Sequence, residues 1–140
     1  MVFINPMSAR ERIRGPVEAD VIRVRDGDSI DVVAHVWPGH DVNISIRLLG
    51  IDAPELKGRC KVEKQRALVA RDRLIELLAG GSIQLTKISG GKYFGRMLAR
   101  VRTVEGLDVQ QILLREGLVR RYAGRKRQSW CPQRAAKKLN

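Results

Sequence analysis

The sequence predicts a mainly β, α+β domain, a five-stranded barrel with about three α-helices. Three observations predict it. A chain of 140 residues has room for one ordinary domain. Its first third holds three stretches in which apolar and polar residues alternate, as in half-buried strands. Two later stretches carry apolar residues at helical spacing and stop at glycine, and no apolar run approaches the roughly 18 residues of a membrane span.

The first three strands form a predicted meander. Residues 17–25 end in the polar turn Asp26-Gly27-Asp28, and residues 29–36 alternate and are rich in β-branched side chains. Trp37-Pro38-Gly39-His40 places proline and glycine at the second and third positions of a turn. Because residues 42–49 alternate again, the second and third strands are expected to pair as a hairpin.

A helix and two further strands are predicted next. Residues 61–79 have the pattern of an amphipathic helix that ends at Gly80-Gly81. Its apolar positions are Ala67, Ala70, Leu74, Leu77 and Leu78. Residues 82–88 and 93–103 are then expected to form two more strands.

The order of the elements is that of an OB-fold. Asp108 is expected to cap a short helix over 109–116, and a third helix is predicted near 134–139. Five-stranded OB-fold barrels bind oligonucleotides on one face, although the same order also fits other α+β folds. The predicted divisions are an N-terminal extension over 1–16, the OB-fold domain over 17–124 and a basic C-terminal tail over 125–140, packed on or appended to the domain.

The charge of the chain favours a polyanionic partner. Lys and Arg number 27 against 15 acids, which gives a net charge of +12. Eight of the basic residues and no acid fall between Gly117 and Asn140. Such a surface attracts nucleic acid, although basic tails are also often solvated ends. Charge alone indicates affinity for phosphate and no chemistry.

The two cysteines leave localisation open. Cys60 and Cys131 have no partner Cys or His at metal-ligand spacing. In a reducing cytosol they would be free thiols, whereas in a secreted or periplasmic protein they would pair and pin the tail to the domain. The visible N-terminus, MVFINPMSARERIRG, lacks an apolar core long enough for a signal peptide. A Cys60–Cys131 disulfide is therefore a hypothesis.

The strongest signal for chemistry is the segment RLLGIDAPE, residues 47–55, together with the D-G-D turn upstream. Pro54 stiffens the corner that follows the strand, and a paired hairpin would bring Asp28 close to Asp52. Clustered carboxylates repel one another and need a cation, and oxygen-only ligands favour calcium or magnesium. A further carboxylate, Glu55, would orient or deprotonate a water. The guanidinium of Arg47 matches the oxygens of a phosphate.

These segments resemble the staphylococcal nuclease (thermonuclease) family over about residues 17–122. The matching pieces are VIRVRDGDSI, IRLLGIDAPE, FGR and LLREGLVRRY. The resemblance implies a five-stranded barrel with three helices and calcium-dependent hydrolysis of DNA and RNA. It also implies cleavage of the P–O5′ bond, which leaves 3′-phosphate ends. We expect single-stranded or frayed nucleic acid as the partner, no membrane, and a monomer.

The resemblance also assigns roles to residues. The metal ligands would be Asp28, Asp52 and the backbone carbonyl of Ala53. The catalytic residues would be Glu55 at the attacking water, with Arg47 and Arg96 at the phosphate. The outer residues would be Asp26, a supporting acid, and Tyr93 and Tyr122, which would help to bind the nucleotide.

The chain departs from the family pattern in three places. Ala53 stands where the family often has Thr, but the metal needs only the carbonyl. Ser29 replaces Thr after the D-G-D turn. The family's D-K-Y-G-R segment appears as GKYFGR, without its acid and with altered spacing around Arg96.

Two other functions compete with an active nuclease. An OB-fold module that binds nucleic acid with weak or no catalysis would not need Arg47, Asp52 and Glu55 together. A purely structural domain leaves the acidic cluster and the basic excess unexplained. His35 and His40 are interpreted as surface residues and not as general bases.

Overall fold

Alternating strands and two amphipathic helices build the fold in a computed structural model, which describes residues 12–90 and 95–132. The strands are β1 (Arg12–Ile13), β2 (Val17–Asp26), β3 (Ser29–Trp37), β4 (His40–Leu48), β5 (Ile51–Asp52), β6 (Ser82–Gly90), β7 (Arg96–Thr103) and β8 (Arg120–Arg121). The helices are α1 (Lys61–Leu77) and α2 (Val109–Arg115).

The strands β2, β3, β4, β7 and β6 close into the five-stranded barrel that the sequence predicts. The meander β2–β3–β4 is antiparallel, and the expected turn after Trp37 joins β3 to β4. The strand β4 then pairs in parallel with β7, and β6 joins β7 to β2 by antiparallel pairing. The short β1 adds to β6, so part of the predicted N-terminal extension pairs with the barrel. Outside the barrel, β5 and β8 form a two-stranded sheet.

One face of each strand fills the interior. Fully buried side chains from the barrel strands are Ile30, Val32, Ile46, Leu48, Ile83, Leu85, Ala99 and Val101. The helix α1 contributes Ala67, Ala70 and Leu74, three of the positions predicted from its helical spacing. Burying each Leu or Ile side chain contributes roughly 1.5–3 kcal/mol, so this core supplies the main driving force for the fold.

A buried glutamine fastens α2 to the barrel. The side-chain amide of Gln110 donates to the carbonyls of Ala99 (3.0 Å) and Leu49 (3.3 Å). Its oxygen accepts from the amide of Val101 at 3.1 Å. Because every polar atom of this side chain is paired, its burial incurs little penalty. The helix α2 begins, as expected, at the cap Asp108, whose carboxylate accepts from the Gln111 amide.

The number of helices differs from the prediction. Residues 12–90 and 95–132 contain two α-helices, where about three were expected. The third helix was predicted near 134–139, outside the described residues. The strand β7 begins at Arg96, three residues later than predicted, and residues 91–94 are also not described. None of the described helices is long and apolar enough to cross a membrane.

Candidate active site

The acidic cluster lies where the meander meets β5. Asp28 sits in the turn between β2 and β3, and its carbonyl accepts from the Leu48 amide at 2.8 Å, which ties the turn to the end of β4. Its carboxylate accepts from the amide of Ala53 at 2.9 Å. Asp52 immediately precedes Ala53, so the stiff corner brings the two carboxylates together. This is the proximity that the sequence predicts.

Arg47 lies between the two carboxylates. Its Nη2 atom is 3.4 Å from Asp28 Oδ2 and 3.3 Å from Asp52 Oδ1. Arg47 opposes Ser29 in the β3–β4 register, on the face of β4 away from the core, because its neighbours Ile46 and Leu48 point inward. Both carboxylates are buried, with residue exposures of 4% and 3%, and Arg47 supplies a shared positive charge.

Burial raises the pKa of Asp28 above its usual value, because the ionised carboxylate is taken out of water. The charge of Arg47 and the hydrogen bonds from Ala53 and Ser29 oppose this shift, and the nearby Asp52 adds to it. Two buried acids of like charge in one site therefore have a strong electrostatic requirement for cations.

A close approach between the turn and α1 holds Asp28 in place. A Cβ atom on Gly27 would lie 2.7 Å from the Cβ of Ala70, so any larger residue would push the turn away from the helix. Asp26, on the other side of Gly27, accepts from the Leu56 amide at 3.2 Å. Asp26 thus stabilises the corner through this hydrogen bond, and it is not one of the two carboxylates that contact Arg47.

Glu63 is a site residue that the sequence reasoning missed. It is the buried third residue of α1, and its carboxylate accepts from the amides of Glu55 (3.1 Å) and Arg59 (3.2 Å). These bonds fix the backbone that presents the Glu55 side chain. The available signal was an acid three positions after the helix cap, Cys60, whose sulfur accepts from the Glu63 amide.

Arg96 stands at the edge of the site. Its Nη2 atom donates to Ser29 Oγ at 3.5 Å, a long contact, and that hydroxyl donates to Asp28 Oδ1 at 3.0 Å. Arg96 also lines an open cleft of about 780 Å³, to which Arg25 and Lys57 contribute further positive charge. The structure thus brings Arg96 towards the acids through Ser29 and gives it no direct carboxylate contact among the described residues.

Tyr93 and Tyr122 are the two residues that the sequence predicts to help bind the nucleotide. The guanidinium of Arg47 lies 5.8 Å from the centre of the Tyr122 ring, within the range of a cation–π contact. Tyr122 therefore borders the acidic cluster. Tyr93 lies outside the described residues.

The C-terminal tail enters the site, which the sequence reasoning did not foresee. The Nε atom of Arg127 donates to Asp52 Oδ1 at 2.8 Å, and its Nη1 donates to Glu55 Oε1 at 3.0 Å. Its Nη2 donates to the carbonyl of Ala53 at 3.4 Å. The indole of the buried Trp130 donates to Asp52 Oδ2 at 3.3 Å. The basic run at 125–127 gave no indication of which oxygens it would meet.

A disulfide between Cys60 and Cys131 anchors this part of the tail beside α1. The hypothesis of pairing is therefore confirmed. Because the two cysteines are 71 positions apart, the bond closes a long loop that contains α1, β6, β7 and α2.

The oxygens at this site suit a hard divalent ion. The candidate ligands are all oxygens, from Asp28, Asp52 and the Ala53 carbonyl. The guanidinium of Arg127 donates hydrogen bonds to two of these three residues, Asp52 and Ala53. The set fits a cation, although no group of three or more His, Cys, Asp or Glu side chains in residues 12–90 and 95–132 has the arrangement of a metal site. The expected set has only two carboxylates, since its third donor is a backbone oxygen.

Comparisons with known proteins find a matching family and similar sequences. Residues 45–138 match the staphylococcal nuclease homologue family. An uncharacterized endonuclease of Escherichia coli O157:H7 is 34% identical over 104 residues, which cover 72% of this chain and 58% of that protein. The SPbeta prophage-derived endonuclease YokF of Bacillus subtilis (strain 168) is 36% identical over 107 residues, which cover 74% of this chain and 34% of that protein. Endonuclease YncB of the same strain is 34% identical over 106 residues, which cover 74% and 47%.

This chain thus spans between about a third and three fifths of the length of these relatives. The match to the family covers the β4–β5 corner, both helices and the tail that reaches the acidic site. On the strength of this match and of the closed barrel, the chain belongs to the staphylococcal nuclease homologue family.

Proposed function

We propose that the chain is a divalent-metal-dependent nuclease that hydrolyses phosphodiester bonds of DNA and RNA. The observation that carries the proposal is the position of the Arg47 guanidinium between two buried carboxylates, Asp28 and Asp52. The relatives are named endonucleases, which supports the same activity. We further propose calcium as the ion and scission of the P–O5′ bond, which leaves 3′-phosphate ends.

In this proposal, Asp28, Asp52 and the Ala53 carbonyl would hold the calcium ion, which would supply positive charge beside a phosphate oxygen. Burial of the carboxylates excludes water and strengthens their attraction for a cation. The requirement for cations that the two acids create is thereby met by an ion and by Arg47 together.

Glu55 is the proposed general base. Its side chain is 47% exposed and can reach a water that approaches a phosphate, while Glu63 keeps its backbone fixed. Proton transfer from the attacking water to Glu55 would accompany formation of the new P–O bond. Arg47 and Arg96 would stabilise the negative charge that develops on the phosphoryl oxygens. As the P–O5′ bond breaks, the 5′ oxygen would take a proton from a solvent water.

The substrate surface is the basic cleft beside the acids. Arg25, Lys57 and Arg96 line it, and Tyr122 borders the cluster through its contact with Arg47. Tyr93 is proposed as a second contact to the nucleotide. We propose that single-stranded or frayed DNA and RNA enter this cleft and that the protein acts as a monomer, with residues 17–124 as its nuclease domain.

A second candidate function is nucleic-acid binding with weak or no catalysis. The contact of Arg127 with Asp52 and Glu55 favours it, because a guanidinium already neutralises two of the acids that catalysis would use. The two functions differ in whether the acidic site accepts a divalent ion.

One experiment tests the proposal. The protein is incubated with single-stranded DNA and RNA in calcium, magnesium or a chelator, and the product ends are analysed. We expect cleavage in calcium with 3′-phosphate ends and none in the chelator, while salt-sensitive binding persists. Cleavage that continues in the chelator would contradict the metal role, and binding without cleavage in any ion would favour the second function.

A further inference from the structure

The segment from Arg125 to Cys131, which we call the C-terminal strap, is held at both ends. Before it, β8 pairs with β5, with Arg120 opposite Asp52. At its far end, Cys131 is bonded to Cys60 at the start of α1. The strap is therefore a short segment that is attached at both ends and passes over the acidic site.

Trp130 fixes the path of the strap. The residue is 6% exposed, the guanidinium of Arg120 lies 3.8 Å from the centre of its ring, and its indole N–H donates to Asp52. Arg120 in turn donates to the carbonyl of Ser129 at 2.9 Å. A buried aromatic ring with a paired N–H is a specific docking contact, in contrast to a solvated basic tail.

Within this docked strap, one side chain meets the oxygens that the proposed function needs. The three donors of Arg127 reach Asp52, the Ala53 carbonyl and Glu55. The same guanidinium thus covers a carboxylate and a carbonyl assigned to the ion and the carboxylate assigned to the water.

A divalent ion and this guanidinium exclude one another. Both are cations, and Arg127 contacts both Asp52 Oδ1 and the Ala53 carbonyl, which are assigned to the ion. Like charges at such separations repel strongly where water is scarce. Asp52 and the Ala53 carbonyl cannot offer the same lone pairs to both partners at full strength. Binding of one must weaken binding of the other.

We propose that the C-terminal strap is a built-in competitor of the divalent ion, with Arg127 occupying the acidic site until the ion displaces it. This inference rests on the proposed function. The apparent affinity for the ion is then the intrinsic affinity multiplied by the fraction of molecules in which the strap is open. Because the Cys60–Cys131 bond keeps Arg127 at a high local concentration, the disulfide strengthens the competition.

Calorimetric titration with calcium tests the proposal on three intact proteins at low ionic strength. Arg127→Gln removes the competing charge, and Arg125→Gln removes an identical charge from an exposed strap position that has no ion pair among the described residues. We expect Arg127→Gln to bind calcium at least about tenfold more tightly than the wild type, as for a strap closed in about nine molecules of ten or more. Arg125→Gln should stay within about twofold of the wild type, since a surface charge acts only through screened, long-range attraction.

Amide hydrogen exchange of the wild-type strap provides a readout that is independent of cleavage. Calcium should speed exchange at residues 125–130, because the ion that displaces Arg127 also releases the strap. A Cys131→Ser variant should bind calcium more tightly than the wild type, in the same direction as Arg127→Gln.

The outcomes separate the inference from the proposed function. Equal or weaker calcium binding by Arg127→Gln, an equal gain in Arg125→Gln, or strap exchange that calcium leaves unchanged would overturn the competitor role alone. Absence of calcium binding in all of the proteins would overturn the proposed calcium-dependent function, and the inference with it.

Discussion

At the scale of single residues, Glu55 differs from the other acids of the site. Its side chain is half-exposed, while its backbone amide is held by a hydrogen bond to Glu63. The bond from its amide to Glu63 survives any change at its own carboxylate. Glu55→Gln should therefore lower kcat by on the order of 10² or more, as for loss of a general base, and leave the free energy of unfolding nearly unchanged.

Single-turnover cleavage and urea unfolding measure these two effects. The matched control is Glu18→Gln, which neutralises an exposed acid on β2. A Glu55 variant with a near-normal rate would remove Glu55 from the role of base.

For Arg47 we expect effects on both stability and rate, because it contacts two buried carboxylates and is also assigned to the phosphate in the proposed function. Arg47→Ala leaves Asp28 and Asp52 without their shared guanidinium, so we expect a loss of about 1–3 kcal/mol in the free energy of unfolding. Cleavage should slow by on the order of 10² or more. Arg47→Lys keeps the charge but loses the planar fork and should restore stability more than rate. If Arg47→Lys fully restored both the stability and the cleavage rate, the proposal that the planar guanidinium recognises phosphate would be wrong.

At the scale of elements, the turn between β2 and β3 is positioned by α1. Gly27→Ala would bring a methyl group against Ala70, and we expect a loss of about 1–3 kcal/mol from overpacking, together with weaker calcium binding as Asp28 moves. Gly80→Ala is the control, because its added Cβ meets nothing within 4 Å and its backbone does not require glycine. Thermal unfolding and calcium titration of both variants measure the difference. An unaffected Gly27→Ala variant would show that the contact does not hold the turn.

His35 links three strands of the meander in a pH-dependent way. Its ring nitrogens lie 2.8 Å from Asp41 on β4 and 2.9 Å from Asp20 on β2. These two hydrogen bonds, with Asp41 the larger contributor, raise the pKa of His35 above its usual 6.5. Because the folded state holds the proton more tightly, the stabilisation is complete below the unfolded pKa and disappears as pH rises through the folded pKa.

His35→Gln should accordingly destabilise the protein at about pH 5.5 and have little effect at about pH 9. Urea midpoints across this range measure the effect. His40→Gln, which removes a ring with no carboxylate contact among the described residues, should show no such pH dependence. A constant effect of His35→Gln at all pH values would rule out the ion pairs as its cause.

The elements and the acidic cluster could be predicted from the sequence because they depend on local signals. Strand alternation placed β2, β3 and β4, and the D-A-P corner placed Asp52 next to Asp28. Glu63 was missed because an acid in a helical pattern normally faces solvent, and its burial depends on the chain folding back at the corner before α1. The position of Arg127 depends on a contact across 75 residues, which no local pattern encodes.

At the scale of the whole molecule, the Cys60–Cys131 disulfide joins the start of α1 to the end of the C-terminal strap, 71 positions later. Cys131→Ser should lower the free energy of unfolding by about 2–4 kcal/mol, because the long loop gains freedom in the unfolded state. Denaturant unfolding of the variant against the oxidised wild type measures this loss. The wild type treated with a reductant should lose a similar amount, and a reduced protein as stable as the oxidised one would contradict the prediction.

The parallel pairing of β4 with β7 also determines at which stage of synthesis the acidic site can be completed. Arg47 on β4 pairs with Leu98 on β7, and β7 is the last of the five barrel strands along the chain. The barrel therefore cannot close until β7 has been synthesised. A ribosome-bound fragment that ends in α1 would contain every acid of the cluster but would lack β6 and β7, which close the barrel that orients these acids. The proposed cleavage of nucleic acid would therefore become possible only after β7 had been synthesised and could pair with β4.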